Sequence, residues 1–244
     1  MAEKKDKTIK EYLGEQFSRA AEGLKKIFGT PDETSHPKVI LLSKLKPTQI
    51  TVGMRQVELK REQIRKLAKD PEKLTEFLLD RPIRVVLGPG GDAYVIDHHH
   101  LALALIREKH QSAPMQVDAD YSRLSVGDFW KKMSEMKYMH PHDADGKLRP
   151  VSEIPATIEG LVDDPYRSLA GFARNAGAFK KVKTPFAEFE WADYFRTRIS
   201  KEMLAEKFDK AVKLAVSIAN DDAAKDLPGY QSPKKQGKQK PKSP

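Results

Sequence analysis

The chain has 244 residues, with 44 Lys and Arg against 35 Asp and Glu, so its formal net charge is +9 when histidine is neutral. Such a length suits one domain with extensions or two small domains. The chain has no cysteine, which excludes a disulfide scaffold, thiol catalysis, iron–sulfur clusters and cysteine-based zinc sites. No apolar run approaches the ~20 residues that cross a bilayer, and the first residues lack the apolar region of a secretory signal. We therefore expect a soluble, cytoplasmic protein with no membrane contact.

The N-terminal segment, residues 1–37, is expected to stand apart from the core. Apolar residues recur at steps of three and four over residues 8–28, which predicts an amphipathic helix. Gly29 ends this pattern, and the Pro-rich, polar stretch 30–37 that follows is typical of a linker. We expect the helix to pack on the body of the protein or on a partner rather than to carry chemistry.

Residues 38–121 alternate between strand and helix patterns and predict a small α+β core. The tight turn Gly88–Asp92 joins two apolar runs, which predicts a β-hairpin over 83–96. The apolar period then changes abruptly, and Leu101–Ile106 predicts a helix that ends near His110. The other predicted elements are a strand over Val39–Leu42, helices over 57–69 and from Pro71 to Arg81, and a short strand over 114–119.

The following residues, 122–226, predict a helical extension. Ser125 and Asp128 form a capping-box pattern for a helix through Met139. The other predicted helices run from Asp164-Pro165 through Arg174, over the aromatic-rich stretch 185–199, whose rings are expected in the core, and over 201–224.

The last segment, 227–244, is predicted to be a disordered basic tail. Residues 228–244 contain five lysines and no acidic residue among Pro, Gln, Gly and Ser. Such a tail either keeps the protein soluble or holds nucleic acid loosely through phosphate charges. Both interpretations stay open.

The most informative sequence is Asp97-His98-His99-His100, between the second hairpin strand and the helix from Leu101. The first amides of a helix have no intrahelical partners, and the helix dipole adds partial positive charge there, so the junction predicts an anion site. Histidine supplies donors and titrates near neutral pH. Asp97 is able to orient a histidine, bind a metal or act as a base. Alternatively, Asp97 is only the N-cap of the helix, and one of the histidines points into the core.

A zinc site is a second interpretation of the histidines. Adjacent histidines point in different directions, so the run at 98–100 does not chelate as an i, i+4 pair does. Further ligands are available only if the loop that carries His140, His142, Asp143 and Asp145 folds back. The loop lacks the pattern of an EF-hand.

Several charged residues outside the turn are candidate contributors. Arg55 lies just before the first core helix and is either an anion anchor or a solvated side chain, and Glu58 is a possible second carboxylate. Arg167 and Arg174 are seven residues apart on one helical face. They are either a pair that faces phosphate or part of an exposed surface.

The order of these elements resembles the ParB/sulfiredoxin fold, and residues 38–200 resemble the ParB-like nuclease group within it. The resemblance rests on Leu45–Ile50, Arg55, the hairpin, the His-rich turn, and the stretches Asp163-Asp164-Pro165-Tyr166-Arg167-Ser168-Leu169-Ala170 and Glu188-Phe189-Glu190-Trp191-Ala192-Asp193. It implies a mixed sheet with helices. It also implies that the strand-to-helix turn holds nucleotide phosphates.

The turn departs from the patterns of related families. It is similar to the Asp-Gly-His-His-Arg of free-serine kinases, with Asp97 at the Asp, His98 at the Gly and Leu101 at the Arg that grips phosphate. Sulfiredoxin chemistry is excluded because the chain has no cysteine. No helix-turn-helix like that of partition proteins is visible after residue 121.

The sequence thus predicts phosphoryl chemistry on a nucleotide or nucleic acid, as the family resemblance implies. In this hypothesis Asp97 is a base or a metal ligand, and His98, His99 and His100 bind phosphate or carry protons. Arg55 is an anchor, Glu58 a second carboxylate, and Asp97 and His99 are candidate ligands for a divalent ion such as Mg²⁺. The alternatives are a nucleotide-dependent kinase of a small hydroxylated metabolite and a nucleic-acid-binding module without catalysis. The cofactor and the oligomeric state stay open.

Overall fold

The computed structural model describes residues 38–232, so the predicted helix over 8–28 and most of the basic tail lie outside the described residues. The described chain divides into two compact units. The first contains residues 38–47, 58–130 and 156–160, and the second contains residues 48–57, 131–155 and 161–232. The segment 38–121, which the sequence assigned to one core, is therefore shared between the units.

The described residues form seven strands and eight α-helices. The strands are β1 (Lys38–Leu41), β2 (Leu45–Lys46), β3 (Thr51–Val52), β4 (Ile83–Leu87), β5 (Ala93–Asp97), β6 (Ser112–Asp120) and β7 (Val162–Asp163). The helices are α1 (Met54–Leu67), α2 (Pro71–Leu79), α3 (His99–Arg107), α4 (Val126–Glu135), α5 (Pro165–Asn175), α6 (Ala187–Arg196), α7 (Lys201–Glu206) and α8 (Phe208–Ile218).

The first unit is built on a five-stranded mixed sheet in the order β1-β6-β4-β5-β2. Strands β4 and β5 form the predicted antiparallel hairpin, and β4 runs parallel to β6. The turn of the hairpin places Gly90 at φ 74° and Gly91 at φ 81°, a region that glycine adopts without steric cost. These two glycines allow the chain to reverse direction between β4 and β5.

The core of the first unit explains why α3 forms where it does. The apolar run Leu101–Leu105 on α3 is buried, as are Val85, Val86 and Val95 on the hairpin. Burying a Leu or Val side chain of this kind stabilises the fold by about 1.5–3 kcal/mol. The apolar residues of α3 therefore fix the start of the helix beside the end of β5.

The second unit is mostly helical, with the two-stranded parallel sheet β3-β7. Its core consists of aromatic and small side chains: Tyr166, Leu169, Ala170, Ala173, Ala178, Phe179, Trp191, Ala192, Tyr194, Phe195, Ile199, Leu204, Phe208, Ala211, Ala215, Ala219 and Ala224. The Trp191 indole donates to the carbonyl oxygen of Pro228 at 2.7 Å, and Gly229 accepts from the Lys180 amide at 2.8 Å. The packed chain thus continues beyond residue 227, where the sequence placed the start of the tail.

The predicted α+β class with a small mixed sheet is confirmed, as is the hairpin. Ser125 Oγ accepts from the Asp128 amide, as the capping-box pattern predicts, but the Asp128 carboxylate accepts from the Ser125 hydroxyl rather than from its amide. Several boundaries differ from the predictions, including the end of α4, which lies at Glu135 instead of Met139. Helix α1 begins at Met54 instead of residue 57, and β6 is longer than the strand predicted over 114–119. The single helix predicted over 201–224 is wrong, because Lys207 at φ −139° and ψ 47° divides it into α7 and α8.

Candidate functional site

The turn between β5 and α3 is built around an unusual backbone conformation at His98. This residue is the N-cap of α3 and adopts the left-handed region at φ 71° and ψ 26°. That conformation costs a non-glycine residue about 1–2 kcal/mol. It turns the chain from the end of β5 at Asp97 into α3 at His99, with His98 as the single residue between the two elements.

The His98 imidazole is held by a backbone carbonyl. Its Nδ1 lies 2.9 Å from the carbonyl oxygen of Pro82, the residue before β4. Because a carbonyl oxygen only accepts, Nδ1 carries the hydrogen, and the neutral ring then has its lone pair on Nε2. The side chain is 32% exposed, and Nε2 lies 4.0 Å from Asp97 Oδ2. His98 is therefore an oriented imidazole whose basic nitrogen lies beside a carboxylate.

Asp97 is the most exposed member of the turn, with 55% of its side chain accessible. Its Oδ1 accepts from the His98 amide at 2.7 Å. The alternative that Asp97 is the N-cap of α3 is wrong, since His98 occupies that position. The second oxygen, Oδ2, is the one that lies beside the His98 ring.

The other two histidines differ in exposure. His99 is only 5% exposed, whereas His100 is partly accessible. The alternative that one histidine of the run points into the core thus describes His99. Both residues lie in the first turn of α3, where backbone amides have no intrahelical acceptor and the helix dipole is positive.

The predicted second carboxylate lies elsewhere in the first unit. Glu58 Oε1 accepts from Arg61 at 2.9 Å and from Arg107, the last residue of α3, at 3.3 Å. A helix of nine residues is about 13 Å long, so this contact places Glu58 at the opposite end of α3 from the turn. Arg61 and Arg65 also hold Glu108, and their hydrogen bonds lower the pKa of that carboxyl to about 2. Glu58 belongs to this ion-pair cluster.

Arg55 lies in the second unit, in the first turn of α1. Its amide donates to Ser168 Oγ at 3.1 Å, and its exposed guanidinium lies 4.2 Å from the centre of the Phe208 ring. Gly53 makes this approach possible, because a Cβ there would lie 2.6 Å from the Ser168 amide nitrogen. The stacked guanidinium leaves its charge available at the surface of this unit.

Comparison with known proteins identifies the family. The family model described as "Putative ParB-like nuclease" matches residues 39–197. The chain belongs to the ParB-like nuclease family. The crystal structure of protein Atu1540 from Agrobacterium tumefaciens is similar, with a TM-score of 0.75 and 42% sequence identity, and the match covers 81% of this chain and 97% of that one. No curated protein matches.

The resemblance noted in the sequence, to the ParB-like nuclease group, is thus confirmed. No helix among the described residues is long and apolar enough to span a membrane. Leu101, which stands where the free-serine kinases have arginine, is buried on α3. The first turn of α3 therefore carries the buried His99 and the partly accessible His100, and no arginine.

The carboxylates of the loop proposed for a zinc site have partners within the protein. The rings of His140 and His142 stack at 4.0 Å. Asp143 Oδ1 accepts from the amides of Asp145 and Lys147, and Asp145 pairs with Lys201 at 2.7 Å. Within residues 38–232, no three His, Asp or Glu side chains are grouped so that they could hold a metal ion.

Two features of the family member were missed by sequence reasoning. The first is Pro82, whose carbonyl holds His98; the sequence contains no signal for it, because any residue supplies a carbonyl. The second is the burial of Arg167, which is 5% exposed on α5. A closely packed helix is indicated by the small residues that follow Arg167 in the sequence, Ser168, Ala170 and Gly171. This pattern is the signal from which the burial of Arg167 could have been predicted.

Proposed function

We propose that the protein hydrolyses phosphate ester bonds in a nucleotide or nucleic acid at the turn Asp97–His100. The observation that carries the proposal is the His98 ring, fixed by Pro82 with Nε2 4.0 Å from the Asp97 carboxylate. Membership of the ParB-like nuclease family supports the same reaction class. The family resemblance alone is an analogy, and the oriented imidazole gives it a chemical basis.

His98 acts as the general base in this proposal. Its Nε2 lone pair takes a proton from water as the water oxygen attacks phosphorus, and the bond to the leaving oxygen breaks. The imidazolium that forms is stabilised by Asp97 Oδ2 and by the Pro82 carbonyl, which keeps its hydrogen bond to Nδ1. The proton then returns to the leaving oxygen, which balances the reaction.

The first turn of α3 binds the phosphate in this proposal. Phosphate oxygens accept from backbone amides at a helix N-terminus, where the dipole favours negative charge. His100 is partly accessible and adds a donor, whereas the buried His99 supports the turn from within. Mg²⁺ usually binds through one or two carboxylates together with substrate phosphates, and Asp97 would supply one such carboxylate. A divalent ion there would neutralise charge on the phosphate.

Nucleic acid is the favoured substrate class because of the charge of the chain. The net charge is +9, and a basic protein attracts phosphate polymers through counterion release. Arg55, whose guanidinium is exposed on Phe208, is a candidate backbone contact in the second unit. Binding is then expected to weaken steeply as salt concentration rises.

The test is the release of acid-soluble nucleotides from single- and double-stranded DNA and RNA by purified protein, with Mg²⁺, Mn²⁺ or EDTA. We expect His98→Gln and Asp97→Asn to reduce the rate by at least ~100-fold. Matched controls are His110→Gln and Asp92→Asn, which change a histidine after the last residue of α3 and a carboxylate before the first residue of β5, at the ends of these elements opposite the turn. Both controls should keep the wild-type rate.

Other outcomes identify the alternative functions. Nucleotide consumption that requires an alcohol acceptor would indicate a metabolite kinase and would contradict the proposed hydrolysis. Salt-dependent nucleic-acid binding that survives Asp97→Asn, with no cleavage under any metal condition, would indicate a binding module instead.

A further inference from the structure

The cluster formed by Arg167, Arg174 and Glu188 in the second unit, here called the arginine pair with its carboxylate, is not part of the site described above. Arg167 lies on α5 and is 5% exposed. Its guanidinium donates to Glu188 Oε2 at 3.0 Å and lies 4.2 Å from the centre of the Phe189 ring. Its Nε is buried and has no hydrogen-bond partner in the described part of the chain. Buried donors of this kind are costly unless they are satisfied.

The second cation shares the same carboxylate. Arg174 lies two turns after Arg167 on α5, and its side chain pairs with Glu188 Oε1. A single carboxylate therefore faces two guanidinium groups. A second acid that acts on Arg167 is Asp164, whose oxygens are occupied by Arg196 at 2.9 and 3.2 Å and by the amide of Tyr166. The arginine pair with its carboxylate thus has an excess of positive charge.

The direction of the pKa shift of Arg174 agrees with this excess. Burial lowers the pKa of Arg167 to about 10, so it stays charged at neutral pH. Burial also lowers the pKa of Arg174, and the neighbouring charge of Arg167 lowers it further. An additional anion would oppose both effects.

We propose that the arginine pair with its carboxylate binds a small phosphate-type oxyanion. The planar set of donors on a guanidinium group matches the geometry of phosphate oxygens. The Nε of Arg167, which has no hydrogen-bond partner among the described residues, is a donor that such an oxygen would satisfy. Arg174 is the more accessible of the two arginines, with 28% of its side chain exposed. Because Arg167 is almost closed to solvent, the ligand is free phosphate or a terminal phosphate group rather than the backbone of a polymer. This site is separate from the proposed catalytic turn.

The experiment is thermal unfolding of the full chain with inorganic phosphate, a nucleoside 5′-monophosphate or chloride at matched ionic strength. Phosphate at a hundredfold excess over its Kd should raise the Tm by about 5–10 °C relative to chloride. A shift with both phosphate compounds indicates that the phosphate group alone is recognised. A shift with the nucleotide alone indicates a terminal phosphate with its nucleoside, and either result supports the proposal.

Three variants assign the shift to the arginine pair with its carboxylate. Glu188→Gln removes the internal carboxylate and should enlarge the phosphate shift. Arg174→Gln and Arg174→Lys should each abolish it, the latter because lysine keeps the charge and loses the fork. Arg198→Gln changes an arginine that donates to Tyr194 and should leave the shift unchanged.

The proposal is overturned if neither phosphate compound raises the Tm of the wild type or of Glu188→Gln above the chloride value. It is also overturned if the shift survives Arg174→Gln and disappears in His98→Gln, since phosphate would then bind at the turn. The nuclease assay measures cleavage, whereas the Tm shift measures phosphate binding and its dependence on Arg174, so the failure of one proposal is distinguishable from the failure of the other.

Discussion

The imidazole of His98 and the carbonyl oxygen of Pro82 are joined by a hydrogen bond of 2.9 Å that links the start of α3 to the start of the hairpin. The bond does two things. It sets which ring nitrogen carries the hydrogen, and it offsets part of the cost of the left-handed backbone at His98. The same residue thus contributes to the shape of the turn and, in our proposal, to its chemistry.

His98→Gly separates these two contributions. Glycine removes a backbone cost of about 1 kcal/mol and loses a hydrogen bond worth about 1 kcal/mol, so the free energy of unfolding should change by less than about 1 kcal/mol. Urea unfolding measures this, and the nuclease assay on the same sample should show no activity. His98→Val should be less stable than the wild type, because a β-branched residue fits the left-handed region poorly. A stable and fully active glycine variant would contradict the role of the imidazole.

Asp164→Asn should destabilise the second unit by about 3 kcal/mol. Asp164 is 1% exposed and pairs with Arg196 at 2.9 Å, and its side chain caps α5. Asparagine keeps the cap and removes the charge, so the loss reports the buried ion pair. The matched control is Asp193→Asn, since Asp193 also contacts Arg196 but is 52% exposed; it should cost less than about 1 kcal/mol. Equal losses in the two variants, measured by urea unfolding, would contradict this interpretation.

Gly53→Ala should destabilise the protein by about 1–3 kcal/mol, as is typical of overpacking. The new Cβ would lie 2.6 Å from the Ser168 amide nitrogen and 2.9 Å from its Cα, both of which belong to the backbone. Gly127→Ala is the matched control, because a Cβ at that position on α4 has nothing within 4 Å. Helix propensity predicts that the control gains about 0.5 kcal/mol. Thermal unfolding of both variants tests whether Gly53 is required for close packing.

Acid should destabilise the protein through His140. Burial lowers the pKa of His140 to about 3, with smaller effects from His142 and Arg167, whereas the unfolded chain titrates near 6.5. Above pH 6.5 the group is neutral in both states. Below it only the unfolded state takes up the proton, so stability falls between pH 6.5 and about 3, by up to about 1.4 kcal/mol per pH unit.

His140→Phe should reduce this pH dependence and keep the ring contact with Phe189, whose ring centre lies 3.8 Å from that of His140. The measurement is the urea midpoint at pH 7, 5.5 and 4.5 for both proteins. An unchanged slope in the variant would show that other groups cause the loss. His142, whose pKa is also lowered by burial, is the first to test in that case.

The local elements of the fold followed from local signals. The hairpin could be predicted from the glycines of residues 88–91 between two apolar runs. The start of α5 could be predicted from Asp164 before Pro165. The division of the last predicted helix at Lys207 was not visible, because its residues keep an apolar helical period across the break. Burial of Phe208, Ala211 and Ala215 in the core of the second unit accompanies that division.

The candidate site was only partly visible in the sequence. The turn at 97–100 could be found, because an apolar helix after three histidines is an unusual pattern. The positions of Glu58 and Arg55 could not, since each is placed by partners distant in the chain, Arg107 and Phe208 respectively.

The sequence by itself determined the family, the α+β class and the strand-to-helix turn, because these depend on apolar periodicity, turn residues and short motifs that act within a few residues. Only the tertiary structure decided that His98 is oriented by Pro82, that His99 is buried and that Arg167 is enclosed with a carboxylate shared by Arg174. The physical reason is that orientation and desolvation of a polar group are set by atoms far along the chain, and these come together only when the cores pack.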